Sequence, residues 1–148
     1  MGRFLNHLDI RDTEKENADY RALWQLINPF GYRDDTGWEI WVPAYYVTDF
    51  GSIPRMFWRI EPPTGRARRA TVIHDWLYSC KIIDRKKCDE IFREAMQACG
   101  VPLLKRNAMF QAVRFGGAGG YGRKDEFEQA KWLLDNADLP LPFEGVYG

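Results

Sequence analysis

The chain has 148 residues, 45% of them hydrophobic, and its 21 basic residues balance 21 acidic ones. This length predicts a single domain with one hydrophobic core over residues 1–148. The zero net charge excludes a global field that would steer the chain toward nucleic acid, so no sequence-specific nucleic-acid binding is expected.

Export and membrane insertion are not expected either. The first ten residues, MGRFLNHLDI, lack the apolar run of a signal peptide, and no stretch approaches the roughly 18 apolar residues of a membrane span. The sequence therefore predicts a protein that is made and kept in a cytoplasm. The three cysteines have no CxxC spacing and are expected to be buried free thiols: Cys80, Cys88 and Cys99.

The N-terminal part of the chain has the pattern of β structure. Residues 1–22 form an N-terminal segment, in which the charged run 11–19 has no periodicity and predicts an exposed loop or short helix. In a β-rich part, 23–63, two β-like runs of aromatic and β-branched residues, 23–32 and 38–47, flank RDDTG, which suits a hairpin turn. The next segment, TDFGSIPRMFW, predicts a shaped loop, because Gly51 and Pro54 interrupt the periodicity.

Residues 66–136 have the pattern of four helices. In the first, over 66–80, Ala70, Ile73 and Leu77 recur at three- and four-residue steps. Asp84 is the expected cap of a second helix that Gly100 ends. A third is predicted over 102–115, before the glycine-rich stop GGAGGYG, and a fourth over 124–136. Residues 139–148, LPLPFEGVYG, form an extended tail. The predicted fold is α+β, with N-terminal β-hairpin strands followed by a helical hairpin and two further helices.

A possible chemical site lies on the helical hairpin. His74 falls on the apolar stripe of the first helix and Asp89 on that of the second. Because the two are nearly equidistant from the turn at 81–84, an antiparallel hairpin makes them face each other. Tyr78, one turn after His74, can supply a second hydrogen bond to the same carboxylate, whereas Asp75 lies about 100° round the helix, toward the rim. A buried polar network that locks two helices in register explains the same residues.

The stretch VIHDWLY, followed by CDEIFREAMQAC, resembles the helix pair of secreted phospholipases of the A-two type over residues 74–99. The resemblance implies that His74 is a general base, that Asp89 orients it with support from Tyr78, and that Asp75 binds calcium. Those enzymes also use a glycine-rich calcium loop. The nearest candidate here is the segment 48–52, in which Asp49 is a second possible ligand or simply the cap of a structural corner.

A longer resemblance covers residues 24–117. The stretches IWVPAYYVTDFGSIPRMFW, RRATVIHDWLY, DEIFREAM and AVRFGG resemble a family of small uncharacterised proteins of tailed bacteriophages and prophages. The chain departs from that pattern in VPAYY, where the family has VPAGF, and at Gly51, where alanine is commoner. The resemblance implies a phage origin.

Two functions are predicted. The first is a phage virion or assembly component, associated with the tail or baseplate, found in the host cytoplasm and then in the virion. Residues 139–148 and the arginine-aromatic stretch 55–69 would bind other phage structural proteins, or a lipid or phosphate-bearing surface. The second is a calcium-dependent hydrolase of phospholipid or another ester in the host envelope. The sequence leaves open whether the protein is an enzyme.

Overall fold

Six short strands form two antiparallel sheets ahead of the helices. The computed structural model describes residues 2–18, 20–51, 58–59, 61–62 and 65–136. Within them one sheet has the order β1-β4-β5 and the other β2-β3-β6. The strands are β1 (Arg3–Phe4), β2 (Ile10–Glu16), β3 (Ala22–Leu26), β4 (Phe30–Arg33), β5 (Glu39–Val42) and β6 (Val47–Thr48).

The predicted hairpin turn joins β4 to β5. The Asp34 carboxylate accepts hydrogen bonds from the backbone N–H groups of Thr36 and Trp38, both at 2.9 Å. Gly37 has a φ of +89°, which a residue with a side chain rarely adopts. The turn chemistry indicated by RDDTG is therefore confirmed.

Two expectations for this half are wrong. Residues 11–16 are neither loop nor helix, because they belong to β2, which pairs with β3. β2 lies at the edge of its sheet, and exposed edges carry charged side chains that discourage further pairing, so it lacks a hydrophobic alternation. The two β-like runs are also not continuous strands. Each divides between the two sheets near a proline, Pro29 or Pro43, which has no N–H for a strand ladder.

In the described part of the chain four helices follow the strands, and their bounds are close to the predicted ones. They are α1 (Arg68–Cys80), α2 (Arg85–Ala98), α3 (Leu103–Gly116) and α4 (Lys124–Asn136). Asp84 caps α2, since its side chain accepts a hydrogen bond from the Lys87 N–H at 2.8 Å. The fold is α+β, as predicted.

Helix α1 lies at the centre of the core. It packs against α2, α4 and β5, and ten of its 13 residues are buried. Polar groups on α1 must therefore find partners inside the protein. All three cysteines are free; Cys80 and Cys88 are buried and Cys99 is partly buried. No helix in the described ranges combines the length and the apolar character needed to cross a bilayer.

Candidate functional site

The helical hairpin brings His74 and Asp89 together, as the sequence predicts. Nε2 of His74 lies 2.7 Å from Oδ1 of Asp89, and the two residues are 1% and 0% exposed. The hydroxyl of Tyr78 donates to the same carboxylate oxygen at 2.6 Å. The buried carboxylate of Asp89 therefore binds two side chains of α1, those of His74 and Tyr78.

Arginine side chains lie beside the other carboxylate oxygen of Asp89, Oδ2. Nη1 of Arg114, on α3, lies 2.7 Å from Oδ2 of Asp89, and Nη1 of Arg85, on α2, lies 3.7 Å from it. Burial by itself raises the pKa of the Asp89 carboxyl, but the hydrogen bonds from His74, Tyr78 and Arg114 outweigh burial and lower that pKa below its usual range. Asp89 is therefore ionised at neutral pH.

His74 is a neutral imidazole of defined tautomer. Burial lowers its pKa, and the charge of Arg85 lowers it further, whereas the hydrogen bond to Asp89 raises it without restoring the usual value. Since ionised Asp89 only accepts, Nε2 carries the proton and the lone pair is on Nδ1. The ring packs between Tyr78 and Phe92, with centroid distances of 4.1 and 4.5 Å, which fixes its orientation.

His74 is among the residues that line a cavity of about 540 Å³, although only 1% of it is exposed. The walls come from the segment before β3, the end of β6, α1, the end of α3 and the start of α4. The charged side chains in the walls are Arg21, Asp49, Asp75, Arg123, Asp125 and Glu126.

Both predicted metal ligands line this cavity, but each carboxylate already has a protein partner. Oδ2 of Asp75 accepts a hydrogen bond from the Thr48 hydroxyl at 2.7 Å, and Oδ2 of Asp49 accepts one from the Asn17 amide at 2.8 Å. Calcium takes six to eight oxygen ligands. No group of three or more His, Cys, Asp or Glu side chains suited to a metal occurs in the part of the chain that the structure describes. Within the described ranges, the side chains do not assemble a calcium site.

The glycine-rich segment does more than end α3. Gly116, Gly117 and Gly120 line the cavity beside Tyr78. A Cβ added to Gly117 would lie 2.6 Å from the Tyr78 hydroxyl oxygen and 2.4 Å from the Val113 carbonyl oxygen, so only glycine allows this approach. The stop that the sequence predicts is confirmed, whereas the contribution of these glycines to the cavity wall is not predicted.

Arg114 was also missed. The sequence does contain a partial indication, because a carboxylate directed into a core needs a positive or hydrogen-bonding partner. Arg85, four residues before Asp89 on the same helix, was visible as such a partner, whereas Arg114 reaches Asp89 only through the packing of α3 on α2.

The predicted docking segments lie partly or wholly outside the described residues. Within 55–69, Arg66 pairs with the buried Glu61, with Nε and Oε1 3.0 Å apart, and the Arg69 guanidinium lies 4.5 Å above the Phe4 ring. Two of the arginines thus have partners inside the protein. Residues 139–148 fall entirely outside the described ranges.

Comparison with known proteins identifies a family. A model described as a protein of unknown function, DUF1353, matches residues 24–113. The uncharacterized protein y4jT of Sinorhizobium fredii (strain NBRC 101917 / NGR234) is 36% identical over 131 residues. This alignment covers 87% of the chain but only 37% of that relative. No solved structure gives a significant match. The chain belongs to the DUF1353 family.

Proposed function

We propose that this protein is a hydrolase in which His74 activates a water molecule for attack on an ester. The observation that carries the proposal is a neutral histidine, held through Nε2 by a buried, ionised aspartate, in the lining of a cavity. A base of this kind takes a proton from water.

Asp89 has two effects in such a reaction. It fixes the tautomer that places the lone pair on Nδ1, and its negative charge stabilises the imidazolium that forms when His74 accepts a proton. The proton then passes from His74 to the alcohol that leaves, which returns the ring to its neutral form. The products are a carboxylic acid and an alcohol.

The cavity separates this proposal from a purely structural network. A register lock between α1 and α2 requires the hydrogen bonds to Asp89 but no space beside His74. A volume of about 540 Å³ falls in the range of roughly 300 to 1,000 Å³ that is usual for small-molecule sites. Among the described residues of the wall there is no Ser or Cys, and the hydroxyl of Thr48 already donates to Asp75 at 2.7 Å, which favours water over a side chain as the nucleophile.

The test is hydrolysis of soluble short-chain esters and of phospholipid vesicles by the purified chain, with calcium and with a chelator in separate arms. His74→Gln is expected to lower kcat/KM by about 10²- to 10⁴-fold, the usual contribution of a general base. The matched control is His7→Gln, since His7 is exposed and is the only other histidine. Circular dichroism checks that both variants fold. Equal rates in His74→Gln and wild type, or no hydrolysis of any substrate, would contradict the proposal.

We also propose, from the sequence resemblance alone, that the protein is a component of a tailed-phage particle. Residues 139–148 contain two prolines and several large apolar side chains, among them Phe143, Val146 and Tyr147, a composition suited to an extended segment that binds a neighbouring chain. Deletion of 139–148 should leave the helix content unchanged and reduce incorporation into particles. Unfolding of the truncated chain would show that the tail belongs to this domain's own core.

A further inference from the structure

Arg114 binds Oδ2 of Asp89, the carboxylate oxygen to which neither His74 nor Tyr78 is hydrogen-bonded. Its Nη1 is 2.7 Å from Oδ2, whereas both groups of α1 bind Oδ1. Only 28% of the Arg114 side chain is exposed, and Asp89 is fully buried. An ion pair of this geometry, away from water, is a strong interaction for the carboxylate.

Arg85 holds Arg114 in place. Its Nη1 donates to the backbone carbonyls of Val113 and Arg114, at 3.1 and 3.2 Å, in the last turn of α3. The Val113 carbonyl also accepts from the backbone N–H of Gly117 at 2.8 Å, so Arg85 adds a second donor to this last turn. The contact ties the end of α3 to the start of α2 and so sets the distance from Arg114 to Asp89.

The negative charge of Asp89 can be balanced in two ways. One is the guanidinium of Arg114; the other is a proton on His74, which would make the ring an imidazolium. A histidine that already carries this proton cannot accept one from water. The two cations therefore compete for one carboxylate, and the presence of Arg114 favours the neutral ring.

We propose that Arg114 is a positioning residue that keeps His74 in its neutral, proton-accepting form by neutralising Asp89. The inference rests on the proposed function for its role in the reaction, but the charge competition itself holds for any role of the site. Other ionisable groups line the cavity with His74: Asp75 and Tyr78 on α1, Arg123 just before α4, Asp125 and Glu126 in its first turn, and Arg21, Tyr46 and Asp49 on the strand side. Arg85, on α2, faces Asp89.

The test is a proton NMR titration of the two histidines in wild type, Arg114→Gln and Arg114→Lys. Arg114→Gln removes the charge and should move the titration midpoint of His74 to higher pH. Arg114→Lys retains the charge and should restore the wild-type midpoint. The exposed His7 supplies the internal reference signal in each spectrum. Arg114→Met replaces Arg114→Gln should the latter not fold.

The matched control is Arg93→Met. The guanidinium carbon of Arg93, on α2, lies 4.1 Å from the centroid of the Phe110 ring on α3. Arg93 thus also links these two helices, but through an aromatic ring and not through Asp89. Its loss should leave the His74 midpoint unchanged. An unchanged midpoint in Arg114→Gln would overturn the proposal, as would an equal shift in Arg93→Met or in Arg114→Lys.

The titration does not depend on catalysis, so it separates this proposal from that of a hydrolase. If the chain does hydrolyse esters, Arg114→Gln should also move the acidic limb of the kcat/KM profile to higher pH and lower kcat/KM at pH 7, because a larger fraction of His74 then carries a proton and cannot accept one from water. A shift in the titration without any hydrolysis would support the role of Arg114 and contradict the proposed reaction.

Discussion

His74 and Asp89 are 15 residues apart in the chain, yet Nε2 and Oδ1 lie 2.7 Å from each other in the core. The contact follows from the lengths of α1 and α2 on either side of their short connection, because equal rise per residue brings equidistant positions level. It forms the centre of a network in which three donors share one carboxylate.

Asp89→Ala should destabilise the fold strongly. The change leaves His74, Tyr78 and Arg114 without their shared acceptor, and the first two are almost fully buried. We expect the free energy of unfolding to fall by about 3 kcal/mol, since an unsatisfied buried group costs roughly 1 to 3 kcal/mol and a broken buried ion pair roughly 3 to 5 kcal/mol. Chemical denaturation measures this change.

A carboxylate on the surface supplies the control. Glu128, on α4, is exposed, and Glu128→Ala should change the unfolding free energy by no more than about 0.5 kcal/mol. Denaturation midpoints that coincide in the two variants would show that the network around Asp89 does not stabilise the fold.

Tyr78→Phe should lower the free energy of unfolding by less than Asp89→Ala does. The ring stays packed against His74 and Tyr121, with centroids at 4.1 and 5.4 Å, and only the hydroxyl donor to Asp89 is lost. A hydrogen bond to a charged group contributes about 1.5 to 3 kcal/mol, which is the expected loss of unfolding free energy. The control is Tyr45→Phe, because Tyr45 is 66% exposed. Equal stabilities of the two variants would exclude a contribution from the Tyr78 hydroxyl.

His74 should make the stability depend on pH. Its pKa in the folded protein is lower than the ordinary value of 6.5, so below that pH the unfolded chain binds a proton that the folded chain does not. The unfolding free energy is therefore highest above pH 6.5 and falls as the pH is lowered toward the folded pKa, by up to about 1.4 kcal/mol per pH unit.

This dependence is measured by denaturation from pH 7.5 downward in wild type and in His74→Gln. The variant lacks the titrating ring, so its stability should fall less steeply below pH 6.5. Burial raises the pKa of Glu126 and of Glu94, which gives slopes of the opposite sign, but these groups are the same in both proteins. Parallel curves for wild type and His74→Gln would contradict the assignment of a lowered pKa to His74.

The helical half could be predicted from the sequence because its patterns are local. Apolar spacing located α1, the cap residue Asp84 marked the start of α2, and the hairpin then fixed the contact of His74 with Asp89. Arg114 and the glycines depend instead on how the end of α3 packs against α1 and α2, which no periodicity reports. The division of the strands into two sheets could not be predicted for a similar reason, because the strand with which each strand pairs is set by segments that are distant in the sequence.

Gly117→Ala should destabilise the protein although the residue lies just after a helix. The added Cβ would lie 2.4 Å from the Val113 carbonyl oxygen and 2.6 Å from the Tyr78 hydroxyl oxygen, distances that force the backbone or the tyrosine to move. Overpacking of this kind costs about 1 to 3 kcal/mol. Gly119→Ala is the matched control, because a Cβ there meets nothing within 4 Å, and it should be neutral or slightly stabilising.

The two clashes at Gly117 can be separated by a double-mutant cycle with Tyr78→Phe. In that background the oxygen 2.6 Å from the new Cβ is absent, while the Val113 carbonyl remains. Displacement of the Tyr78 hydroxyl from Asp89 can cause part of the loss of unfolding free energy in Gly117→Ala. In that case Gly117→Ala should lower the unfolding free energy of Tyr78→Phe by less than it lowers that of wild type, with a difference of at least about 0.5 kcal/mol. Strict additivity would mean that the backbone clash with Val113 accounts for the whole effect. A less-than-additive result would show that the glycine-rich segment stabilises the site by allowing Tyr78 to reach Asp89.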